Sequence, residues 1–141
     1  MTMKKSFIFL AVTFLINILS LYYRWYLTYP WSDQILHLLG GFFMAMFMSQ
    51  YLKEHLFYRC RLKNFLIILG AVSFIGVIWE FSEYIANLVI SPILYGHYGI
   101  KTYFIGNLDD TLNDLLMDIL GAGLFAILLN LSRTKFTADR H

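Results

Sequence analysis

Residues 110–122 read DTLNDLLMDILGA, three aspartates followed by a pair of small residues at the opening of a long apolar run. Asp110, Asp114 and Asp118 are spaced i, i+4, i+8, so in a helix they drift only about 80° around the axis. A carboxylate in a membrane-spanning helix is costly and is retained mainly where it binds, pairs or conducts something. The stretch therefore predicts a helix that turns an acidic face toward its neighbours.

Composition and apolar runs indicate the environment of the chain. Hydrophobic residues make up 59% of its 141 positions and charged residues only 14%, whereas soluble domains carry about 25% charged residues. Four apolar stretches are close to the roughly 20 residues that cross a bilayer as a helix. They lie near residues 6–23, 34–52, 65–88 and 111–131. We predict an all-α, polytopic membrane protein, a single transmembrane domain (1–141) built as a four-helix bundle, with an outer loop over 89–110.

Lysine and arginine are distributed unevenly between the connections. Nine of the eleven lie before the first apolar stretch, between the second and third, or after the fourth. By the positive-inside rule, both termini and the middle connection are cytoplasmic. We expect the cytoplasmic membrane, although the same bias would fit an endoplasmic-reticulum membrane. The net charge of +2 is thus a topology signal, and no nucleic-acid partner is expected.

Seven of the nine acidic residues lie in or beside the apolar stretches. They are Asp33, Glu80, Glu83, Asp109, Asp110, Asp114 and Asp118. Asp33 opens the second stretch, and His37 follows one turn later on the same face. Glu80 and Glu83 approach the outer end of the third stretch. With the predicted topology these acids reach one level on the outer side, and small residues on the same faces indicate close helix packing. We expect the acids to point into a pocket open to the outside.

So many carboxylates beside one imidazole cannot all be ionised at close quarters, because like charges repel and burial penalises charge. Either a cation or protons would be bound there. The candidate metal ligands are His37, Glu80, Glu83, Asp110, Asp114 and Asp118. Oxygen-rich ligation suits Ca²⁺, Mg²⁺ or Mn²⁺, and one histidine also allows Zn²⁺. The expected cofactor is therefore a divalent metal.

Some of the acids have a simpler structural interpretation. Asp33, Asp109 and Asp110 stand where apolar runs begin, and a side-chain oxygen there caps a helix N-terminus and complements its dipole. For these three residues we favour capping. Asp114 and Asp118 lie too far inside the run for capping, so for them we favour a functional role.

The remaining site candidates keep two interpretations each. Glu80 and Glu83 are solvated if the third helix ends early, and otherwise belong to the site. His37 is as consistent with a hydrogen-bonded core histidine as with a ligand that shares a face with Asp33. Both interpretations stay open from the sequence.

Three short motifs carry a resemblance to known families. They are Ser32-Asp33-Gln-Ile-Leu-His37 at a helix start, Trp79-Glu80-Phe-Ser-Glu83-Tyr84 near a helix end, and Asp110-Thr111-Leu-Asn-Asp114-Leu-Leu-Met-Asp118-Ile-Leu-Gly121-Ala122 at another start. Over residues 33–122 the chain resembles the uncharacterised YjdF-type membrane proteins and, more distantly, the VanZ-like family. The VanZ-like pattern has an asparagine where this chain has Asp118. The resemblance implies a membrane bundle of four or more helices with these polar residues clustered, and it brings no assigned activity.

The leading hypothesis is a small integral membrane protein whose outward-facing carboxylate-rich site binds a divalent cation. As an enzyme, it would use metal-activated water or a carboxylate base to hydrolyse a lipid-linked or cell-envelope substrate. The catalytic residues would be Glu80, Asp114 and Asp118. The alternatives are a component of a proton or cation pathway and a non-catalytic accessory or scaffold protein. The lipid bilayer is the expected partner, and a homo-oligomer stays open.

Overall fold

The computed structural model describes residues 2–29, 31–56, 60–102, 104 and 106–138. Four long helices make up most of this part of the chain. They are α1 (Met3–Tyr23), α3 (Trp31–Tyr51), α4 (Arg61–Tyr98) and α5 (Leu108–Ala138), with a short helix α2 (Trp25–Thr28) and a 3-10 turn (Lys53–His55) between them. The described residues contain no strand, so the prediction of an all-helical chain is confirmed.

The burial pattern of α1 is the reverse of that of a soluble helix. Its buried residues are the polar Ser6, Asn17 and Ser20, whereas apolar side chains such as Phe7 and Leu15 are more than half exposed. Near one end of α1, the Gln50 amide of α3 donates a hydrogen bond of 2.9 Å to the Ser6 hydroxyl. A helix that keeps polar groups inside and apolar groups outside is suited to a hydrocarbon environment.

Three helices of the described chain are long and apolar enough to cross a membrane. They cover Met3–Tyr23, Arg61–Tyr98 and Leu108–Leu129. The predicted second span corresponds to α3, which begins three residues earlier than predicted and carries Asp33, Gln34 and His37 in its first two turns. These polar side chains lower the hydropathy of α3, and the fourth span therefore stays a prediction.

Helix α3 is the centre of the bundle because it packs against α1, α4 and α5. Its most extensive packing is against α5, where two glycines stand at the crossing. A Cβ on Gly41 would overlap the backbone of Asp118, and a Cβ on Gly121 would overlap the carbonyl of Leu38. In a membrane, such close backbone packing replaces the hydrophobic drive that joins helices in water. The glycines therefore hold α5 against the first three turns of α3.

A small apolar core fills the space between α3, α4 and α5. Its buried members are Ala45, Met46, Ile68, Val72, Ala122 and Phe125. Helix α4 contributes through a single buried stripe at every fourth position, formed by Ile68, Val72, Gly76 and Glu80. This stripe passes from apolar side chains to a glycine and then to a carboxylate. The apolar core therefore gives way to the acidic residues along α4.

Helix α4 is longer than predicted at both ends, by four residues at its start and ten at its end. It continues through Pro92 to Tyr98, so the predicted outer loop is wrong over residues 89–98. An internal proline removes one backbone hydrogen bond, and neighbouring groups in membrane helices compensate for that loss. The helix ends instead at Gly99, whose φ of 65° lies in the left-handed region that favours glycine. The Gly99 N–H then donates to the Tyr95 carbonyl, which completes a helix C-cap.

The crossing of α3 and α5 predicts different effects for two substitutions only two residues apart. Gly121→Ala places a methyl group against the Leu38 carbonyl, whereas a Cβ at Gly123 meets no atom within 4 Å. We expect Gly121→Ala to lower the free energy of unfolding by roughly 1–3 kcal/mol, the usual cost of overpacking. Gly123→Ala should leave it equal or higher, because alanine is the better helix former. Thermal unfolding in detergent micelles measures both variants, and equal stability of the two would contradict this packing.

Candidate functional site

His37 lies at the centre of a cluster of carboxylates from α3, α4 and α5. Its Nε2 atom is 3.9 Å from Asp33 Oδ1 and 3.9 Å from Glu80 Oε1. Its Nδ1 atom is 3.5 Å from Asp118 Oδ1. Asp33 precedes His37 by one helical turn, whereas Glu80 and Asp118 come from the neighbouring helices. Both ring nitrogens therefore face carboxylates, and the residue as a whole is buried.

Two overlapping groups within this cluster have the spacing of metal ligands. In the first, Asp33, His37 and Asp114 each offer a ligand atom within 4.8 Å of the others. In the second, His37, Glu80 and Glu83 do the same. Ligands held at roughly 2.0–2.6 Å from one ion lie at most about 5 Å apart, so both groups are within range. Because His37 belongs to both groups, either set of carboxylates could hold an ion together with the imidazole.

Three carboxylate oxygens of the cluster have no hydrogen-bond partner among the described residues. They are both Oε atoms of Glu80 and Oδ1 of Asp114, on residues that are only 6% and 2% exposed. A buried polar atom that loses water without gaining a partner destabilises the fold, and for an ionised group the cost is larger. The oxygens therefore need a bound cation, protons or ordered water to complete their contacts.

The carboxylate of Asp118 lies beside glycines of the two neighbouring helices, α3 and α4. A Cβ on Gly76 would lie 2.6 Å from Asp118 Oδ2, and one on Gly40 would lie 3.9 Å from Asp118 Oδ1. The missing side chain of Gly76 leaves room for the carboxylate, whereas a Cβ on Gly40 would make only an ordinary contact with it. The small residues that bring the helices together thus also admit the deepest acid of the cluster.

The structure brings five of the six predicted metal ligands together and leaves one at the edge. His37, Glu80, Glu83, Asp114 and Asp118 converge, and Asp33 joins them. Asp110 lies one turn further out in α5, where it is half-buried and its carboxylate lies next to Gly106. It is a member of neither close-spaced group.

The expected capping roles of Asp109 and Asp110 are wrong, because α5 begins earlier than predicted. The first residue of the helix is Leu108, and the Asn107 side chain accepts a hydrogen bond of 3.0 Å from the Asp110 N–H. Asn107 is thus the capping residue, and the two aspartates lie in the first turn, where they still complement the helix dipole. Asp33 likewise lies inside the first turn of α3, which starts at Trp31.

The sequence interpretation missed two hydroxyl groups. The Tyr26 hydroxyl of α2 and the Ser20 hydroxyl of α1 are both buried, and the two side chains lie close to each other. Burial raises the pKa of the Tyr26 hydroxyl far above its usual range, and the carboxylates of Asp33, Glu83 and Asp114 raise it further. Tyr26 therefore lies close enough to the cluster for the carboxylates to change the pKa of its hydroxyl. No local pattern distinguishes it from the other aromatic residues of the connection between α1 and α3.

The raised pKa of Tyr26 predicts a loss of stability at high pH. An unfolded tyrosine releases its proton near pH 10, whereas folded Tyr26 retains it. Its contribution to stability is therefore complete below about pH 10 and is lost as the pH rises further. We expect Tyr26→Phe to lose stability less steeply between about pH 10 and 11.5, measured as thermal unfolding midpoints. The exposed Tyr98→Phe variant is the control, and the same slope in both variants would contradict the burial of Tyr26.

Comparison with known proteins supports the interpretation of this chain as a membrane protein. The model of a family described as "Predicted membrane protein (DUF2238)" matches residues 2–135. The chain therefore belongs to this family. No curated protein and no solved structure matches it. The resemblance to YjdF-type and VanZ-like proteins stays a prediction.

Proposed function

We propose that, in this member of the DUF2238 family of predicted membrane proteins, one group of side chains binds a divalent cation. We call this group the carboxylate–histidine cluster, and it consists of Asp33, His37, Glu80, Glu83, Asp114 and Asp118. The observation that carries this proposal is the set of buried carboxylate oxygens on Glu80 and Asp114 that have no hydrogen-bond partner in the described chain, the contact of Glu80 with His37 being 3.9 Å long. Within the described residues, the ion-pair contacts of the cluster all involve His37 and none involves lysine or arginine. One imidazole cannot balance five carboxylates, so a positive ion is the missing component.

The donor set indicates which ions fit. Asp33, Glu80, Glu83 and Asp114 offer oxygen atoms and His37 offers one nitrogen. Hard ions such as Mg²⁺, Ca²⁺ and Mn²⁺ prefer oxygen ligands, and a single imidazole is compatible with Mn²⁺ and Zn²⁺. The three helices α3, α4 and α5 each supply ligands, so the ion would also join the helices that form the centre of the bundle.

The proposal includes four membrane spans and a site near the outer surface. Helix α3 has 21 residues. At 1.5 Å per residue it measures roughly 31 Å, about the thickness of the hydrocarbon core. With both termini cytoplasmic, the beginnings of α3 and α5 lie on the outer side of the membrane. The distribution of lysine and arginine between the connections supports this orientation.

Cysteine accessibility tests the fourth span and the orientation together. In a Cys60→Ser background, Tyr29→Cys and Lys53→Cys place single thiols beyond the two ends of α3. We expect a membrane-impermeant maleimide to label Tyr29→Cys on intact cells and Lys53→Cys only after permeabilisation, because the two positions lie on opposite sides. If both thiols react from the same side, α3 does not span. If the two accessibilities are exchanged, the site faces the cytoplasm.

In its more specific form, the proposal is that the protein is an enzyme. It would use the bound cation to hydrolyse a lipid-linked or envelope substrate. Glu80 is the candidate general base because its carboxylate is buried and has no hydrogen-bond partner in the described chain. Asp114 would hold the ion, and Asp118 would orient His37 through the 3.5 Å contact. In this form, Asp114→Asn combined with Asp118→Asn abolishes turnover. A double variant with unchanged turnover contradicts the enzyme form and leaves the cation site.

Two other functions remain as outcomes of the tests. A proton or cation pathway would need polar groups that continue beyond Asp118. Asn17 lines the cavity beside Asp118 and Ser6 is buried near the other end of α1, whereas the core between α3, α4 and α5 is apolar. This arrangement supports a binding site over a pathway. A scaffold role would make the acids purely structural. It predicts that neutral variants lose stability and that no ion binds.

Elemental analysis of the purified protein tests the cation directly. After removal of metals and addition of Mg²⁺, Ca²⁺, Mn²⁺ or Zn²⁺, the native chain and the control Glu54→Gln should retain about one ion per chain, and Glu80→Gln should lose it. Glu54 is an exposed acid in the turn after α3. At one hundred times the dissociation constant, the ion should stabilise the native chain by about 2.7 kcal/mol. Absence of metal in all three proteins would overturn the proposal and favour protons or structure.

A further inference from the structure

An elongated cavity lies beside the carboxylate–histidine cluster. Its volume is about 230 Å³, and its walls come from α1, α3, α4 and α5. One end reaches His37 and Asp118. The remaining walls are mostly apolar, as at Leu10, and include the polar Thr13 and Asn17 of α1. On each of α1, α3 and α4 the lining extends over eight or nine residues, which is roughly 10–12 Å of helix at 1.5 Å per residue. The cavity thus has a polar end and a long apolar part.

The cavity is continuous with the apolar outer surface of the bundle. No Cα atoms of α1 and α4 lie within 8 Å of each other in the described chain, so these two helices leave a gap. Across it, the rings of Phe14 and Trp79 meet edge to face at 5.9 Å. Phe14 lines the cavity and is also 51% exposed, so the cavity reaches the outside there. Because the exposed faces of α1 and α4 are apolar, the opening faces lipid in a membrane.

The size and lining of the cavity restrict its occupant. One turn of a helix, 5.4 Å long and about 10 Å across, occupies roughly 400 Å³, so the cavity cannot admit a helix from another protein. A polar headgroup would leave its hydrogen-bonding groups unpaired against the apolar walls. A segment of a single hydrocarbon chain meets both conditions, since it is narrow and has no polar atoms along its length. Because the lined part of the cavity is only roughly 10–12 Å long, the rest of an acyl chain would pass through the gap between α1 and α4 into the bilayer.

We propose that this cavity binds one acyl chain of a membrane phospholipid, with the polar part of that lipid at His37 and Asp118. The inference rests on the proposed function, because it makes a lipid the molecule presented to the cation site. The chain extends from the polar end of the cavity toward Leu10 and Met44. Specificity for lipids then comes from the gap between α1 and α4, and the cluster contacts only the polar portion.

Photolabelling in reconstituted vesicles tests the acyl chain. The probe is a phosphatidylglycerol with a diazirine in one acyl chain, and mass spectrometry locates the labelled residues. Ile75→Trp fills the cavity with an indole ring, whereas Ile78→Trp places the same ring on the exposed face of α4. We expect labelling of the lining residues to fall about fivefold or more in Ile75→Trp and to change less than about twofold in Ile78→Trp, because only the first ring occupies the cavity.

A second cavity-filling variant and three further measurements complete the test. Thr13→Phe narrows the cavity from α1 and replaces Ile75→Trp if that variant does not fold. Unchanged labelling in the cavity-filling variant would overturn the proposal. So would displacement of the probe by a polyprenyl phosphate but not by unlabelled phosphatidylglycerol, or cross-linking of a second copy of the chain at these residues. Elemental analysis of the same samples separates the two proposals, since labelling without bound metal contradicts only the cation site, and metal without labelling contradicts only the acyl chain.

Discussion

The close approach of α3 and α5 is the constraint on which the site depends. At Gly41 and Gly121 the two backbones meet without intervening side chains. This contact brings Asp118 to the imidazole of His37, and the missing side chain at Gly76 leaves space for its carboxylate. The same glycines therefore serve helix association, which in lipid relies on close packing, and the assembly of the acidic cluster.

If the cluster binds an ion, the stability of the fold depends on whether that ion is present. Burying carboxylates costs free energy that a single neighbouring imidazole cannot offset, because several of their oxygens remain without partners in the described chain. A bound ion would remove this cost and connect α3, α4 and α5 through shared ligands. Occupied and empty states are then expected to differ in stability as well as in chemistry, since the ligands are also the contacts between helices.

The surroundings of His37 offer both a polar and an apolar environment, which suit the two parts of a lipid. The carboxylates of Asp33, Glu83 and Asp114 lie close to His37, and His37 also lines the mostly apolar cavity between α1 and α4. A headgroup and a hydrocarbon chain require the same two environments next to each other. The proposed cation site and the proposed acyl site are therefore two parts of one surface that a lipid can contact at once.

Several features of the site could be predicted from the sequence because they depend on local spacing. The i, i+4, i+8 spacing of Asp110, Asp114 and Asp118 places them on one helical face, and the apolar runs predict helices. Other features, such as the end of α4, could not be predicted because nearby residues favour different structures. Pro92 indicated a loop, but the helix continued to the left-handed Gly99 because the loss of one hydrogen bond does not end a helix.

Local sequence therefore determined the helices, their apolar character and which residues share a face, since periodicity and hydropathy belong to each segment alone. The tertiary structure decided which carboxylates meet His37, that Asp110 stays at the edge, and that Tyr26 lies near the cluster. It also decided which oxygens are left without partners and where a cavity opens. These features depend on the distance and rotation between helices, which arise from packing at particular glycines and are not encoded in any one segment.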